Sequence, residues 1–481
     1  MRHTTLCTLL VLVLLKGLSA QAPAQDPLKS DTQLSPQAAY ERSIRPLEIT
    51  RRSPQNWSEV ELDALKVARE NAKAECVARD PDQSATSDLL ALARLCAFSL
   101  QWQPVHLSAS KYIAAVSHVV GVPPKSSSDV SLAYDYEVLA CLALQDIDGA
   151  LTASQKMLQT VRYDGLASEA TNSTTEAIRF TRMPQALNLL KQREPSILER
   201  IKSFSASGGT ESTSVTNVAA PLSLYALYHD ALALPLYQQL IDQPQAAATS
   251  YAELEASVPA NISSEDAMYI GEERRQYALL GQHLPVLKPV ISLLSPAGAL
   301  PQELNTRFEN AAVFMLFPDW CNQCIKLGEN SKAKYEELAS AQVRFFLIMS
   351  QARSSDARPL ALPGESTVIV NSRNSQQTRR QRIQVDQRPG VRTIPEPALE
   401  GTPTLIVPTE TLAEFAATDF PLLIATDRNG IVRWIQRASE HALDSDGDIY
   451  RIVNQVIATW PPQKGDEALT KQKIHPVTIL R

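Results

Sequence analysis

One junction constrains the fold of this chain more than any other feature. Residues 311–317 (AAVFMLF) form a continuous apolar run of strand length, followed at once by PDWCNQC at 318–324. Helical sequence follows, which we assign to Ile325–Ala339. Apolar runs of this kind are typical of strands that helices cover on both faces. The C-terminal part of the chain is therefore predicted to be an α/β domain.

Two further apolar runs predict additional strands, at 343–349 (VRFFLIM) and 422–426 (LLIAT). The residues DRNG at 427–430 join the latter to another apolar run at 431–435. Asn-Gly between such runs predicts a β-hairpin, because both residues tolerate positive φ. A closing amphipathic helix is predicted from apolar residues that share one face: Ile449, Ile452, Val453, Val456, Ile457 and Trp460.

The cysteine pair between strand and helix predicts thiol chemistry. Cys321 would lie at the helix N-terminus, where unpaired amides and the helix dipole stabilise a thiolate. Cys324 lies one turn further on, close enough to close a disulfide, so we assign attack to Cys321 and resolution to Cys324. A purely structural disulfide is the alternative. Zinc needs four ligands, and no second cysteine pair or nearby histidine supplies them, so neither a metal nor another cofactor is predicted.

The sequence WCNQC at 320–324 resembles the thioredoxin superfamily, in which Trp-Cys-x-x-Cys opens the active-site helix. DFPLLIATDRNGIV at 419–432 is similar to the cis-proline, strand and hairpin of exported TlpA-type proteins. The resemblance implies a thioredoxin-like domain, for which we set the bounds 295–465. It implies disulfide exchange with protein substrates.

The same resemblance implies roles for individual residues. Pro421 would be the cis-proline facing the disulfide, and the peptide around Phe420 would pair with a substrate backbone. Trp320, Phe420 and Pro421 together would form the substrate-binding surface. Met315 stands where many family members carry a buried acid.

The preceding sequence, from about Trp57 to Leu294, has helical periodicity, and we assign 56–294 to one all-α domain. Residues 100–110 and 144–154 share Leu-Gln followed by a Leu-x-Ala-Ser pattern at an offset of 44 residues. A fixed period suggests stacked helical hairpins that resemble tetratricopeptide-like repeats and present a concave surface to a protein partner. The alternative is an irregular helical bundle in which the similarity of the two segments is coincidental. The predicted fold class is thus multidomain: an all-α helical-repeat domain followed by an α/β thioredoxin-like domain.

The remaining cysteines and several histidines lie in this helical sequence. If the two helices around 80–84 form a simple hairpin, Cys96 lies about two turns from the level of Cys76, too far for a disulfide. We therefore predict that Cys76, Cys96 and Cys141 are small buried thiols. Four histidines are predicted to lie singly on helices, without serine or cysteine partners: His106, His118, His229 and His283.

The first twenty residues predict export. Residues 1–20 read as a signal peptide, with a basic start, an apolar core at Leu9–Leu15 and small residues before the cleavage site. Residues 21–55 are predicted to be a mobile leader and 466–481 a C-terminal tail. No later run reaches the ~18 apolar residues of a membrane span, so stable membrane insertion is not expected.

The net charge and the distribution of arginine bear on which classes of partner this chain can bind. The formal net charge is −6, which argues against nucleic-acid binding. An Arg-rich segment, about 351–402, is predicted to be an insertion in the α/β domain. Its RRQR cluster at 379–382 is either solvated or a docking surface for an acidic partner.

Together these features predict an exported (periplasmic or secreted) thiol–disulfide oxidoreductase that acts on protein or peptide substrates, with a helical domain that selects the partner. The alternative is a non-catalytic interaction or chaperone-like module that carries an inert disulfide. The two differ in the reduction potential of the Cys321–Cys324 pair, which lies below about −300 mV for a structural disulfide.

Overall fold

The computed structural model describes most of the chain between residues 34 and 461. The described residues are 34–52, 58–117, 128–206, 222–287, 291–292, 308, 310–329, 331–351, 402, 404–417, 420–438 and 448–461. The predicted signal peptide, nearly all of the predicted insertion and the predicted C-terminal tail lie outside these residues.

The first part of the chain is helical, as predicted, and we call it the helical region. Its helices are α1 (Pro36–Arg52), α2 (Ser58–Val77), α3 (Thr86–Phe98), α4 (Trp102–Ser117), α5 (Ser128–Ala143), α6 (Ile147–Thr160), α7 (Gly165–Ile178), α8 (Met183–Ala206), α9 (Leu224–Leu240), α10 (Pro244–Ser257) and α11 (Ser264–Leu279).

The prediction of a mobile leader over 21–55 is wrong for residues 36–52, which form α1. Ala39 and Leu47 are buried, and Tyr40 packs edge-on against Phe98 of α3 at 5.9 Å between ring centroids. The helix was hard to recognise because Pro46 interrupts a short polar sequence. Its buried residues are Pro36, Ala39, Ser43 and Leu47, a mixed set that gives a weak periodic signal.

Three helix pairs are joined by the same short turn. Leu100, Gln145 and Asp242 follow α3, α5 and α9 with φ values of 58°, 62° and 58°. In each turn the next amide donates to a carbonyl in the last helical turn, as Gln101 N–H does to Cys96 O at 2.9 Å. This is the left-handed C-terminal cap of helices. The equivalent turn residues Leu100 and Gln145 are separated by one residue more than the 44-residue offset of the sequence repeat.

The second part of the chain contains a six-stranded mixed sheet and its helices, which we call the sheet region. The strand order is β1-β4-β3-β2-β5-β6. β2 runs parallel to β3, and β3 runs parallel to β4, whereas the β1–β4, β2–β5 and β5–β6 pairs are antiparallel. The strands are β1 (Ile291–Ser292), β2 (Ala311–Pro318), β3 (Val343–Gln351), β4 (Thr404–Pro408), β5 (Leu422–Asp427) and β6 (Val432–Arg437).

Every residue of β2 is buried, so this strand forms the centre of the sheet. Alternate side chains enter two different cores, because successive strand residues point to opposite faces. Val313, Met315 and Phe317 enter the core that contains Cys324, while Phe314 and Leu316 enter the opposite core. The helices of the sheet region are α12 (Asn322–Glu329), α13 (Ser331–Ser340), α14 (Thr409–Glu414) and α15 (Asp448–Thr459).

The predicted hairpin and closing helix are present, as β5–β6 and α15. Gly430 has φ of 75°, whereas Asn429 does not have positive φ. The turn is held instead by Asp427, whose Oδ1 accepts from the amides of Asn429 and Ile431 at 2.8 and 3.2 Å.

Two element predictions need correction. Ile291 and Ser292, inside the range assigned to the all-α domain, form β1 and pair with β4. The single helix predicted over Ile325–Ala339 is two helices, α12 and α13. The Ser331 hydroxyl donates to the Gly328 carbonyl and bonds to Thr402 Oγ1 at 2.8 Å, which marks the break between them.

The prediction that Cys76 and Cys96 are free thiols is also wrong, because they form a disulfide with a Cα–Cα distance of 5.2 Å. The error came from assuming that α2 and α3 turn back on each other directly. Residues 78–85, which connect the two helices, can span more than half the length of α3. α3 can therefore start well away from Cys76 and run back toward it. The C-terminal end of α2 therefore lies against the C-terminal half of α3.

The helical and sheet regions share a core. Trp434 on β6 contacts Tyr237 on α9, with ring centroids 5.4 Å apart, and Phe180 at 6.5 Å. Backbone bonds continue the contact, since the amides of Gly281 and Leu284 donate to the carbonyls of Val432 and Gly430 at 2.9 and 2.8 Å. None of the described helices is long and apolar enough to cross a membrane.

Candidate functional site

The strand-to-helix junction places Cys321 at the N-terminus of α12. β2 ends at Pro318, and the Cys321 amide donates to the Pro318 carbonyl at 3.0 Å. The Asp319 amide donates to Ser350 O on β3 at 3.0 Å, which fixes the turn to the sheet. The Cys324 amide donates to Cys321 Sγ at 3.3 Å, so this sulfur caps the helix. A thiolate at that atom would keep the same bond and gain from the helix dipole.

The predicted pairing of Cys321 with Cys324 is confirmed, with a Cα–Cα distance of 5.2 Å. The two sulfurs differ in access. Cys324 is fully buried in the core beneath β2, while Cys321 is only partly buried. Cys321 is therefore the more accessible of the two sulfurs.

The predicted substrate-binding residues lie beside this pair. Trp320 is 62% exposed, and its ring meets that of Phe420 edge-on at 5.8 Å between centroids. The Phe420–Pro421 peptide bond is cis, as the resemblance implied. Phe420 packs against the same core as Cys321. Trp320, Cys321, Phe420 and Pro421 thus come from two chain segments, 318–324 and 420–422, that the fold brings together.

Met315 and Asp319 lie on the strand and the turn that lead into the cysteine motif. Met315 is fully buried in the core that contains Cys324. Asp319 is the acidic residue that sequence reasoning did not single out, although it lies two positions before Cys321. Burial raises the pKa of its carboxyl, and hydrogen bonds from the amides of Trp320 and Asp319 itself oppose that rise.

A cavity of about 900 Å³ opens beside the site, between the helical and sheet regions. The sheet region contributes Gln323 from the cysteine motif, Phe420 and Pro421. The helical region contributes Tyr225 and Tyr269, whose rings lie 5.0 Å apart. Sequence reasoning missed this cavity because its two walls are far apart in the chain.

Asp230, one of the residues that line the cavity, has a buried carboxylate at the centre of a polar network. This carboxylate accepts from Tyr163 Oη at 2.8 Å, from Ser168 Oγ at 2.6 Å and from Asn172 Nδ2 at 2.8 Å. Arg193 donates to the Asp230 carbonyl at 2.7 Å. A network satisfied in this way resists rearrangement and so preserves the shape of the cavity.

His229 on the cavity wall has a partner, Glu273, whose Oε1 lies 2.7 Å from its Nδ1. Protein atoms around the ring oppose its charged form, but the bond to Glu273 and the charge of that carboxylate leave the pKa of His229 raised.

The prediction that His106 has no cysteine partner is wrong. Its Nδ1 lies 3.7 Å from Cys141 Sγ, across the packing of α4 against α5. Cys141 itself is a free buried thiol, as predicted. His283 does not lie on a helix, and His118 is outside the described residues.

No protein-family model matches this chain, and no curated protein matches it.

Proposed function

We propose that this chain is an exported thiol–disulfide oxidoreductase with a thioredoxin-like domain, acting on protein or peptide substrates. The observation that carries the proposal is the difference in access within one disulfide: Cys321 is reachable at a helix N-terminus, and Cys324 is buried behind it. A sulfur that can be attacked, with a second sulfur positioned to release the adduct, is the minimum that disulfide exchange needs.

The reaction follows from these positions. In the reduced protein, Cys321 thiolate attacks a substrate disulfide, forms a mixed disulfide and expels one substrate thiolate. Cys324 then attacks Cys321 Sγ and expels the second substrate thiolate. The Cys321–Cys324 dithiol has then given two electrons to the substrate and become a disulfide. The same steps in reverse oxidise a dithiol substrate.

The thioredoxin-like part of the proposal is supported by the arrangement of the sheet. The parallel strands β2 and β3, the antiparallel hairpin β5–β6, and a helix entered through Cys-x-x-Cys follow the order that the sequence resemblance implies. Pro421 stands directly before β5, next to the segment that contacts Trp320.

Partner selection by the helical region is supported by the shared cavity. An extended substrate segment near Cys321 would run past Phe420 toward the tyrosine pair on α9 and α11. Aromatic side chains of this kind supply much of the energy in peptide recognition. Tyr269→Ala is expected to lower activity on a protein disulfide more than on a small-molecule disulfide.

Reduction of insulin by dithiothreitol, followed by turbidity, tests the catalytic proposal. Cys321→Ser should abolish the acceleration, and Cys324→Ser should trap a mixed disulfide visible on a non-reducing gel. The double variant Cys76→Ala/Cys96→Ala is the matched control, since it removes a disulfide of the helical region. Equal activity of the wild type and Cys321→Ser would contradict the proposal, and a non-catalytic module with an inert disulfide would then remain.

A further inference from the structure

A second group of chemically reactive side chains lies in the helical region, where α4 packs against α5. His106 is on α4, and Glu137 and Cys141 are one turn apart on the same face of α5. His106 Nδ1 is 3.2 Å from Glu137 Oε1 and 3.7 Å from Cys141 Sγ. The three potential ligand atoms all lie within 4.8 Å of one another.

The separations of His106 from Glu137 and from Cys141 are close to those around a tetrahedral metal ion. Zinc bonds of about 2.0–2.1 Å to nitrogen or oxygen and about 2.3 Å to sulfur place N and O ligands about 3.4 Å apart, and N and S ligands about 3.6 Å apart. The observed 3.2 and 3.7 Å differ from these values by a few tenths of an ångström. Side-chain rotations alone could close such differences.

The local environment favours a cation. Cys141 is 1% exposed, and Glu137 Oε1 accepts from Ser110 Oγ at 2.7 Å while its Oε2 is buried without a hydrogen-bond partner. The His106 side chain is about a third exposed, which gives an ion a route from solvent.

We propose that His106, Glu137 and Cys141 bind one divalent metal ion of the zinc class, with water as the fourth ligand. Imidazole, carboxylate and thiolate suit zinc, and a mixed set of this kind is less suited to magnesium or calcium. On binding, the Cys141 S–H bond breaks, the proton goes to solvent and an S–metal bond forms. No electron is transferred. The ion would tie α4 to α5, and so join two successive helical hairpins.

The site stands apart from the proposed redox function, because it shares no residue with the Cys321–Cys324 site or the cavity. Its test uses the oxidised full-length protein, in which Cys321 and Cys324 are closed and cannot bind metal. Titration with Co²⁺ is expected to saturate at one equivalent and to give a thiolate-to-cobalt charge-transfer absorption. Zn²⁺ should then displace the cobalt.

Cys141→Ser should remove the charge-transfer absorption. His106→Gln and Glu137→Gln, which change partly exposed side chains, should weaken Zn²⁺ binding at least tenfold in a competition titration. His229→Gln is the matched control, because His229 pairs with Glu273 without a cysteine and should bind metal as the wild type does.

Three results would overturn the proposal. They are the absence of a thiolate absorption at saturating cobalt, an absorption that survives Cys141→Ser, and Zn²⁺ affinity unchanged in both His106→Gln and Glu137→Gln. Circular dichroism of each variant without metal shows whether it is folded. A zinc-induced rise in the melting temperature of the wild type but not of these two variants gives an independent readout.

Discussion

The two disulfides of this protein join cysteines with equal Cα–Cα distances, 5.2 Å in each, yet their surroundings differ. Cys76 and Cys96 are both fully buried in an apolar cluster formed by α1 to α5. Cys321 reaches the surface beside an exposed tryptophan. Because an incoming thiol must reach a sulfur atom, we propose exchange only at Cys321–Cys324 and expect the fully buried disulfide to be structural.

The two disulfides also close loops of different length. Cys76 and Cys96 are separated by 20 residues, and Cys321 and Cys324 by 3. Cross-linking restricts the unfolded chain more when the closed loop is longer. The disulfide of the helical region should therefore contribute more to stability, while that of the sheet region should contribute more to reactivity.

The largest expected difference is in the rate of reduction. Under native conditions with dithiothreitol, Cys321–Cys324 should be reduced on the order of a thousand times faster than Cys76–Cys96. Dithiothreitol can reach Cys76 and Cys96 only after local unfolding exposes their sulfurs, which costs several kcal/mol in a packed core. Timed alkylation followed by mass spectrometry of the labelled peptides measures both rates in one sample.

A denatured sample supplies the control for that experiment, because both disulfides should then be reduced at comparable rates. If Cys76 and Cys96 are labelled as fast as Cys321 in the native protein, the distinction between a structural and an exchanging disulfide fails.

The second prediction concerns stability. Cys76→Ala/Cys96→Ala should lower the free energy of unfolding of the helical region by about 3 kcal/mol, from loop closure alone. Cys321→Ala/Cys324→Ala should lower the free energy of unfolding of the sheet region by about 2 kcal/mol or less, because the loop that this disulfide closes is short. Urea unfolding followed by circular dichroism measures both. A larger loss in the second variant than in the first would reverse the comparison.

The sequence predicted the sheet region far better than the contacts of the helical region. β2 and β3 could be recognised because strands buried on both faces are unbroken apolar runs, and Cys321 could be placed because it follows such a strand. These are local signals. The Phe420–Pro421 position also came from a local resemblance, to a strand and hairpin that the structure contains.

The Cys76–Cys96 disulfide and the His106–Cys141 contact could not be predicted in this way. Both depend on how helices cross, and helical periodicity shows which face is buried but not which helix covers it. A hairpin was the simplest assumption for α2 and α3, and residues 78–85 gave no sign of the longer path. The cavity was missed for the same reason, since its walls come from helices of the helical region, among them α9 and α11, and from α12, β5 and β6 of the sheet region.

The third prediction separates recognition from packing. Trp320→Ala should lower kcat/KM for a protein substrate about tenfold, mostly through KM, because an exposed indole contributes contact area and not a buried core. Its effect on stability should stay within about 0.5 kcal/mol. Val77, 67% exposed next to Cys76, is the matched surface position at the other disulfide.

Val77→Ala should change neither kinetics nor stability beyond that margin. An equal loss of kcat/KM in both variants, measured with insulin or another disulfide-containing protein, would show that exposed apolar area in general, and not the position of Trp320, assists the reaction.

The smallest expected effect concerns the charge of Asp319. Burial raises the pKa of this carboxyl, which lies two residues before Cys321. A negative charge two residues away opposes formation of the Cys321 thiolate. Asp319→Asn should therefore move the midpoint of the alkylation rate against pH to lower pH, by less than about one unit.

Asp319→Glu keeps the charge and should leave that midpoint near its wild-type position. The direction in which the midpoint moves separates a charge effect from a structural one. Loss of the amide hydrogen bonds that fix the turn would change the rate at all pH values without moving the midpoint. A midpoint that moves to higher pH in Asp319→Asn would mean that Asp319 assists the thiol as a proton acceptor, and the site would then use this residue in place of the acid that Met315 cannot supply.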